Sequence, residues 1–184
     1  MNLSFREAKT TQAAAQLLKL RGAPMSYMKL VKLLYLVDRQ ALLRWGRPVT
    51  GDKYVSMDKG PVLSRTLNLI IEEPAPGDDT IWAQHISQPQ DFEIKLKEET
   101  GADELSPAEI QLINETFAEF GKKPRWELVD FVHDFPEWQD PHGSALPIEY
   151  RDILQAGGKS EAEIAAVLSE LDGVAMADAL MPAR

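Results

Sequence analysis

The residue types best suited to chemistry gather in one short segment of the sequence: Asp130, His133, Asp134, Glu137 and His142. The first three are spaced i, i+3 and i+4, which places their side chains on one side of a helix. Imidazole and carboxylate groups of this kind bind zinc and harder divalent cations. Pro136 and Pro141 interrupt regular geometry, however, and the spacing matches no strong ligand motif. We therefore predict no metal site and no cofactor, and keep a metal-dependent enzyme using the Asp130–His142 region as an alternative.

Asp38 is a second candidate for chemistry because of its surroundings. At about 100° per residue, it projects onto the middle of the apolar face of a helix, between Leu34 and Leu42. A carboxylate buried there costs free energy unless it is paired or accepts hydrogen bonds. It could be a functional acid with a perturbed pKa. Alternatively, it could have a structural role, bonding to a backbone N–H or pairing with Arg47, Lys53 or Lys59. We favour the structural role, since paired buried charges are usually architectural and no second catalytic group is in view.

Other catalytic signatures are scarce. The segment 46–53 partly matches a phosphate-binding loop, but Asp52 stands directly before Lys53, and Tyr54 replaces the expected Ser or Thr. The sequence has no G-x-S-x-G, H-E-x-x-H or dinucleotide-binding glycine pattern. We predict a protein that is not an enzyme and assign no catalytic residue.

The elements that must position these residues are mostly helical. Periodicity and stop signals predict helices at 4–21, 27–45, 60–73, 106–120, 126–135, 148–156 and 160–171. Strands are expected at 53–57, 81–86 and 92–96, and a turn-rich loop at 74–79. Ser26 and Ser160 are predicted N-caps, and Ser106 with Glu109 a capping box. The fold class is α+β: a mostly helical single domain with a small antiparallel β-sheet.

The helix at 27–45 is predicted to be the central helix of the fold. Its apolar face includes Trp45, and a narrow row of basic residues on the opposite side, the basic spine, is expected to face water. The spine comprises Lys29, Lys32, Arg39 and Arg44, and Arg47 and Lys59 follow at neighbouring turns. We predict that these six cations form a partner-binding stripe; simple solvation of the helix is the alternative. Gly60 and Pro61 are predicted to have a structural role, with proline in the first position of a third helix.

Charge is distributed unevenly along the chain. Net charge is −9 over 184 residues, with residues 1–60 at +7 and residues 61–184 at −16. The acidic total makes direct nucleic-acid binding unfavourable, although the acidic part could mimic phosphate towards a basic partner. The sequence contains no cysteine, no signal peptide and no stretch of membrane-spanning length, so we expect a cytoplasmic protein without membrane contact.

Three segments together carry a family resemblance: Leu30-Val31-Lys32-Leu33-Leu34-Tyr35-Leu36-Val37-Asp38-Arg39, Gly46-Arg47-Pro48-Val49-Thr50-Gly51 and Lys59-Gly60-Pro61-Val62. In this combination the chain resembles the Panacea domain of SocA-like antitoxins. The resemblance is strongest over 6–75, and Trp126-Glu127-Leu128, His133 and Trp138 extend it to about 158. One domain is expected over 1–184, with 159–184 as a C-terminal helical extension.

The resemblance implies an antitoxin of a toxin–antitoxin system, which neutralises a co-encoded toxin by direct protein–protein binding. The partner is then a cognate protein toxin. A protease adaptor that delivers a toxin for degradation is a second possibility within the family. The family's motifs do not identify the toxin, its contact surface or the oligomeric state.

Overall fold

A computed structural model describes residues 3–73 and 80–180. Its helices are α1 (Glu7–Arg21), α2 (Tyr27–Trp45), α3 (Ser64–Ile71), α4 (Ile81–His85), α5 (Pro107–Phe120), α6 (Arg125–His133), α7 (Tyr150–Ala156) and α8 (Glu161–Leu180). Its strands are β1 (Met25–Ser26), β2 (Tyr54–Met57), β3 (Gly60–Leu63), β4 (Glu93–Ile94) and β5 (Leu146–Ile148). The predicted α+β class is confirmed. The loop predicted at 74–79 lies outside the described residues.

The centre of the fold is α2. Every residue from Leu30 to Asp38 is buried, and α1, α5, α6, α7 and β3 all pack against this helix. Its end at Trp45 agrees with the prediction, because Gly46 adopts a left-handed conformation and stops the helix. A helix that is surrounded on all sides has little of its circumference left for water, whatever residues it carries.

The β-structure consists of two small antiparallel sheets. The three-stranded sheet has the order β3-β2-β5, with Tyr54 opposite both Leu63 and Ile148. The two-stranded sheet pairs β1 with β4, so that Met25 lies opposite Ile94 immediately before α2 begins. These sheets place the loop before α2 and the β2–β3 turn at the same end of the central helix.

Several elements of the structure differ from the prediction. Residues 60–63 form a strand instead of the start of a helix, because the turn before them folds the chain back onto β2. Residues 81–85 form a helix instead of a strand, and the Thr80 side chain accepts a hydrogen bond from Ala83 N at its start. Strands β1 and β5 were not predicted, and α8 continues to Leu180, beyond its predicted end.

The helix caps are only partly as predicted. The capping box of Ser106 and Glu109 is present, whereas the prediction that the Ser26 side chain caps α2 is wrong. The backbone N–H of Tyr27 instead donates to Phe92 O at 3.0 Å. A turn that is distant in sequence therefore satisfies the first amide of the central helix.

Candidate protein-binding surface

The predicted basic stripe does not lie in water. Lys32 is 1% exposed, and its ammonium donates to Pro61 O at 2.8 Å. Lys29 is also buried, and its Nζ donates to the carbonyl oxygens of Gly121 and Lys123 at 2.6 and 2.7 Å. Burial lowers the pKa of Lys32 to about 7. The prediction that these two lysines face water is wrong, because neighbouring elements cover that side of α2.

Arg39 and Arg44 are held by acidic partners. Arg39 Nε donates to Glu137 Oε1 at 2.6 Å, and its Nη2 donates to Oε2 at 3.3 Å. The Tyr35 hydroxyl donates to the same Oε1 at 2.9 Å. Arg44 is more exposed and pairs with Glu115 at 2.7 Å. Both arginines are thus committed to contacts within the chain.

Arg47 and Lys59 are exposed and form no ion pair in the described part of the chain. They lie apart, however, since Arg47 follows the C-terminal end of α2 and Lys59 lies in the β2–β3 turn. Trp45, predicted to pack with the apolar face, is 39% exposed. The six cations therefore do not form one continuous stripe.

Asp38 is fully buried and accepts hydrogen bonds on both carboxylate oxygens. Oδ1 accepts from the backbone N–H groups of Val49 and Thr50 at 2.9 and 3.1 Å. Oδ2 accepts from the Tyr54 hydroxyl at 3.1 Å and from the Thr50 hydroxyl. Burial raises the pKa of Asp38 to about 6, while the four donors oppose that rise. The carboxylate joins α2 to residues 49–50 and to the first residue of β2, and none of these four donors is a cation.

The metal-ligand candidates at 130–142 do not converge. The His133 ring packs against Trp138 with centroids 4.3 Å apart, and Glu137 is engaged by arginine. His142 is exposed beside Asp140 at 3.5 Å. Across residues 3–73 and 80–180, no three His, Asp or Glu side chains form a group that could hold a metal ion. The alternative of a metal-dependent enzyme has no assembled ligand set in this region.

An exposed surface of aromatic, apolar and cationic side chains lies at the N-terminal end of α2. We call it the aromatic surface, and its residues are Tyr27, Met28, Lys59, Phe92, Arg125 and Trp126. The start of α2, the β2–β3 turn, the turn before β4 and the start of α6 bring them together. Phe92 is 66% exposed and Trp126 is 50% exposed. Exposed aromatic residues accompanied by arginine are characteristic of protein–protein interfaces.

The backbone around Phe92 forms a tight turn beside the start of α2. Asp91 and Phe92 have φ values of 51° and 65°, and Gln90 and Glu93 exchange hydrogen bonds across them at 2.8 and 2.9 Å. Positive φ at both central residues is the pattern of a tight hairpin turn, and it costs a bulky residue roughly 1–2 kcal/mol. The carbonyl oxygen of Phe92 also accepts from the first amide of α2, which fixes the backbone of Phe92 relative to that helix, and its ring lies 6.4 Å from the ring of Tyr27.

Two cations lie over the Trp126 ring. Lys59 Nζ is 5.7 Å and Arg125 Cζ is 5.2 Å from the ring centroid, both within the range of cation–π attraction. Neither forms an ion pair with the residues that the structure describes. Two cations that are in no ion pair with the described residues therefore lie beside exposed aromatic area.

A cavity of about 280 Å³ adjoins the aromatic surface and shares Tyr27, Met28 and Lys59 with it. We call it the methionine pocket. Its wall is mainly apolar and is formed by Met28, Val31, Met57, Val62 and Leu67, with Lys32, Asp58, Gly60, Gly143 and Ser144 also lining it. Methionine side chains adapt to differently shaped partners because they are unbranched and flexible.

Most of this site was not predicted from the sequence. Lys59 was predicted to bind a partner, and Trp126 was noted for the family resemblance, but Met28 and Arg125 were assigned no role. Phe92 was predicted to lie in the strand at 92–96, whereas β4 begins at Glu93. These residues come from segments far apart in the chain, so no periodicity connects them. The pair Arg125-Trp126, an arginine next to a large aromatic residue, is the one local signal that could have indicated a binding surface.

The fold and site define an α+β domain built around one buried helix, with an exposed aromatic and cationic surface at one end of that helix. Within the described ranges no helix is both long enough and apolar enough to cross a membrane. The chain belongs to the family of SocA-like antitoxins: the model of the antitoxin SocA-like Panacea domain matches residues 30–139, more than half of the sequence. We found no match among curated proteins or among solved structures.

Proposed function

We propose that this protein is an antitoxin that neutralises a co-encoded toxin by binding it directly through the aromatic surface. Membership of the SocA-like antitoxin family supports an antitoxin role and a toxin as the class of partner. One observation supports the assignment to this surface. Phe92 and Trp126 are exposed there, next to Lys59 and Arg125, which form no ion pair with the described residues. Interfaces concentrate binding energy in a few aromatic and arginine residues of this kind.

The test is co-expression with the product of the neighbouring gene. We expect that gene product to stop growth alone, and the intact chain to restore growth and to co-purify with it. Trp126→Ala and Phe92→Ala should each weaken the complex by about tenfold or more, as expected for aromatic hot-spot residues. Both side chains are exposed, so the melting temperature should change little.

Trp45→Ala is the matched control. Trp45 is also an exposed tryptophan, but it lies at the other end of α2, about 27 Å along the helix axis from Tyr27. We expect this variant to rescue growth like the intact chain. Growth rescue without a detectable complex, or equal loss from Trp45→Ala and Trp126→Ala, would contradict the proposal.

The same experiment separates neutralisation by binding from delivery to a protease. Simple binding leaves the amount of toxin unchanged or higher, because the complex protects it. Delivery to a protease lowers the amount of toxin when the antitoxin is present and restores it when proteolysis is blocked. We expect the toxin to persist as a stable complex.

A further inference from the structure

We infer that the aromatic surface and the methionine pocket together bind an acidic segment of the toxin, with one apolar side chain of that segment inserted in the pocket. This inference rests on the proposed function and adds the chemistry of the partner. It draws on three features of the described residues: the size of the pocket, the nature of its wall and the charge at its rim.

The size of the methionine pocket suits a protein side chain. Its volume of about 280 Å³ can hold one large side chain and lies at the lower edge of the roughly 300–1,000 Å³ of pockets that enclose small-molecule ligands. It is also continuous with exposed aromatic area, since Tyr27, Met28 and Lys59 border both. A partner that covers Phe92 and Trp126 is therefore placed to insert one side chain next to Met28.

The wall of the pocket determines the character of that side chain. Val31, Met57, Val62 and Leu67 offer it apolar contacts, so an aliphatic or aromatic anchor gains from burial there. Lys32 contributes a buried ammonium whose acceptor among the described residues is Pro61 O. Because most of the wall is apolar, an apolar anchor is favoured over a charged one, which would lose its hydration there.

The rim determines the charge of the segment around the anchor. Lys59 and Arg125 are exposed and held over Trp126, without an acidic partner in the described part of the chain. Asp58 is the one acid among the residues that line the pocket and the aromatic surface, and its Oδ1 accepts a hydrogen bond from Gly143 N at 3.0 Å. Lys59 and Arg125 together outweigh this single negative charge. In a chain of net charge −9, a locally positive rim attracts acidic residues and disfavours basic ones.

The rim is tested by charge reversal and association kinetics with the purified toxin. The double variant Lys59→Glu, Arg125→Glu should slow association about tenfold or more at low salt, and the difference should shrink at high salt. The control Arg47→Glu, Lys53→Glu makes the same change in net charge at exposed positions away from the aromatic surface. We expect its association rate to stay within about twofold of the intact chain, since the changed charges lie outside the interface.

The pocket is tested by shortening one wall residue. Met28→Ala removes apolar contact area from both the pocket and the surface, so dissociation should become about fivefold to tenfold faster. Met176→Ala shortens an exposed methionine of α8 and is the matched control, with no expected change. Circular dichroism of each variant verifies that the fold is retained.

The outcomes separate this inference from the proposed function. Faster association after Lys59→Glu, Arg125→Glu would show a basic partner segment and overturn the inference, as would unchanged rates in both that variant and Met28→Ala. In either case the proposed function stands, provided the intact chain still binds the toxin. If the intact chain does not bind the toxin, both fail. The inference would also be overturned if the chain associates with itself and these variants abolish that association. The aromatic surface and the methionine pocket would then bind a second copy of this chain.

Discussion

At the scale of single residues, buried polar groups determine which side chains remain for binding. Lys29, Lys32 and Arg39 occupy positions that a helical projection assigns to water, yet each satisfies a carbonyl oxygen or a carboxylate inside the fold. A projection reports which residues share a face of one helix. It contains no information on whether a second element covers that face.

Asp38 gives the first residue-scale prediction. Asp38→Ala leaves two backbone N–H groups and two hydroxyl groups without their buried acceptor. Each such loss costs roughly 1–3 kcal/mol, and the effects are not additive, so we expect a total of about 3–5 kcal/mol. Chemical denaturation of the purified protein measures the change. Asp140→Ala, an exposed aspartate, is the control and should have little effect.

A functional acid would behave differently at this position. In that case Asp38→Ala would keep the melting temperature of the intact chain and lose toxin neutralisation. We expect the opposite pattern: a lower melting temperature, with toxin binding retained below that temperature. Measuring stability and binding on the same preparation distinguishes the two roles.

At the scale of elements, local signals predicted helices well and short strands poorly. The end of α2 and the capping box of α5 follow from glycine, proline, serine and glutamate at fixed offsets. Residues 60–63 and 81–86 are short apolar runs whose periodicity fits either structure. Their conformation is decided by long-range partners: β3 by pairing with β2, and α4 by packing against α1.

Gly60 gives the element-scale prediction, because it starts β3 in a conformation that suits glycine. Its φ is 89°, and a Cβ added there would lie 2.7 Å from Val132 Cγ2. Gly60→Ala should therefore combine backbone strain with a clash against α6, at a cost of about 2–4 kcal/mol. Urea unfolding measures this cost.

Gly22→Ala isolates the contribution of the clash at Gly60. Gly22 also has a positive φ of 67°, but a Cβ there would meet nothing within 4 Å. We expect it to lose only about 1 kcal/mol, since only the backbone preference is affected. Equal losses for the two variants would show that α6 moves aside without cost.

The C-terminal helix belongs to the same scale. The family model ends at 139, but α8 buries Ile164 and Leu171 in the common core, and Val167 lies against Gly46. We propose that the predicted extension at 159–184 is part of the one domain. Its sequence favours a helix, whereas its attachment depends on contacts with α7 and with Gly46 at the end of α2 that the local pattern does not specify.

At the scale of the whole molecule, the candidate site is a product of topology. The turn before β4, the start of α6 and the β2–β3 turn meet at one end of α2 because β1–β4 pairing and the β3–α6 contact bring them there. The uneven charge of the chain is visible in the sequence. The position of an unpaired positive rim on an acidic protein depends on which cations are neutralised after folding, so the sequence alone does not reveal it.

The pH dependence of stability is also a property of the whole molecule, and two buried groups give it opposite slopes. Asp38 has a folded pKa of about 6, above its ordinary value of 3.8, so the folded state binds more protons between these values. Its contribution to the free energy of unfolding is full below about pH 4 and is lost as pH rises through 6. Lys32 has a folded pKa of about 7, below its ordinary 10.5. Its contribution is lost as pH falls through 7 and returns as pH rises towards 10.

We therefore expect Asp38 and Lys32 to produce a minimum in the free energy of unfolding between about pH 6 and 7. The free energy should rise by about 1–3 kcal/mol on each side of this minimum. Urea unfolding at about pH 4.5, 6.5 and 9 measures it, and this range stays below the ordinary tyrosine pKa. Because other groups also titrate, the comparison is with variants. Asp38→Asn should flatten the fall from pH 4.5 to 6.5, and Lys32→Met should flatten the rise from 6.5 to 9. If either variant keeps the slope of the intact chain over its own interval, that residue is not the titrating group.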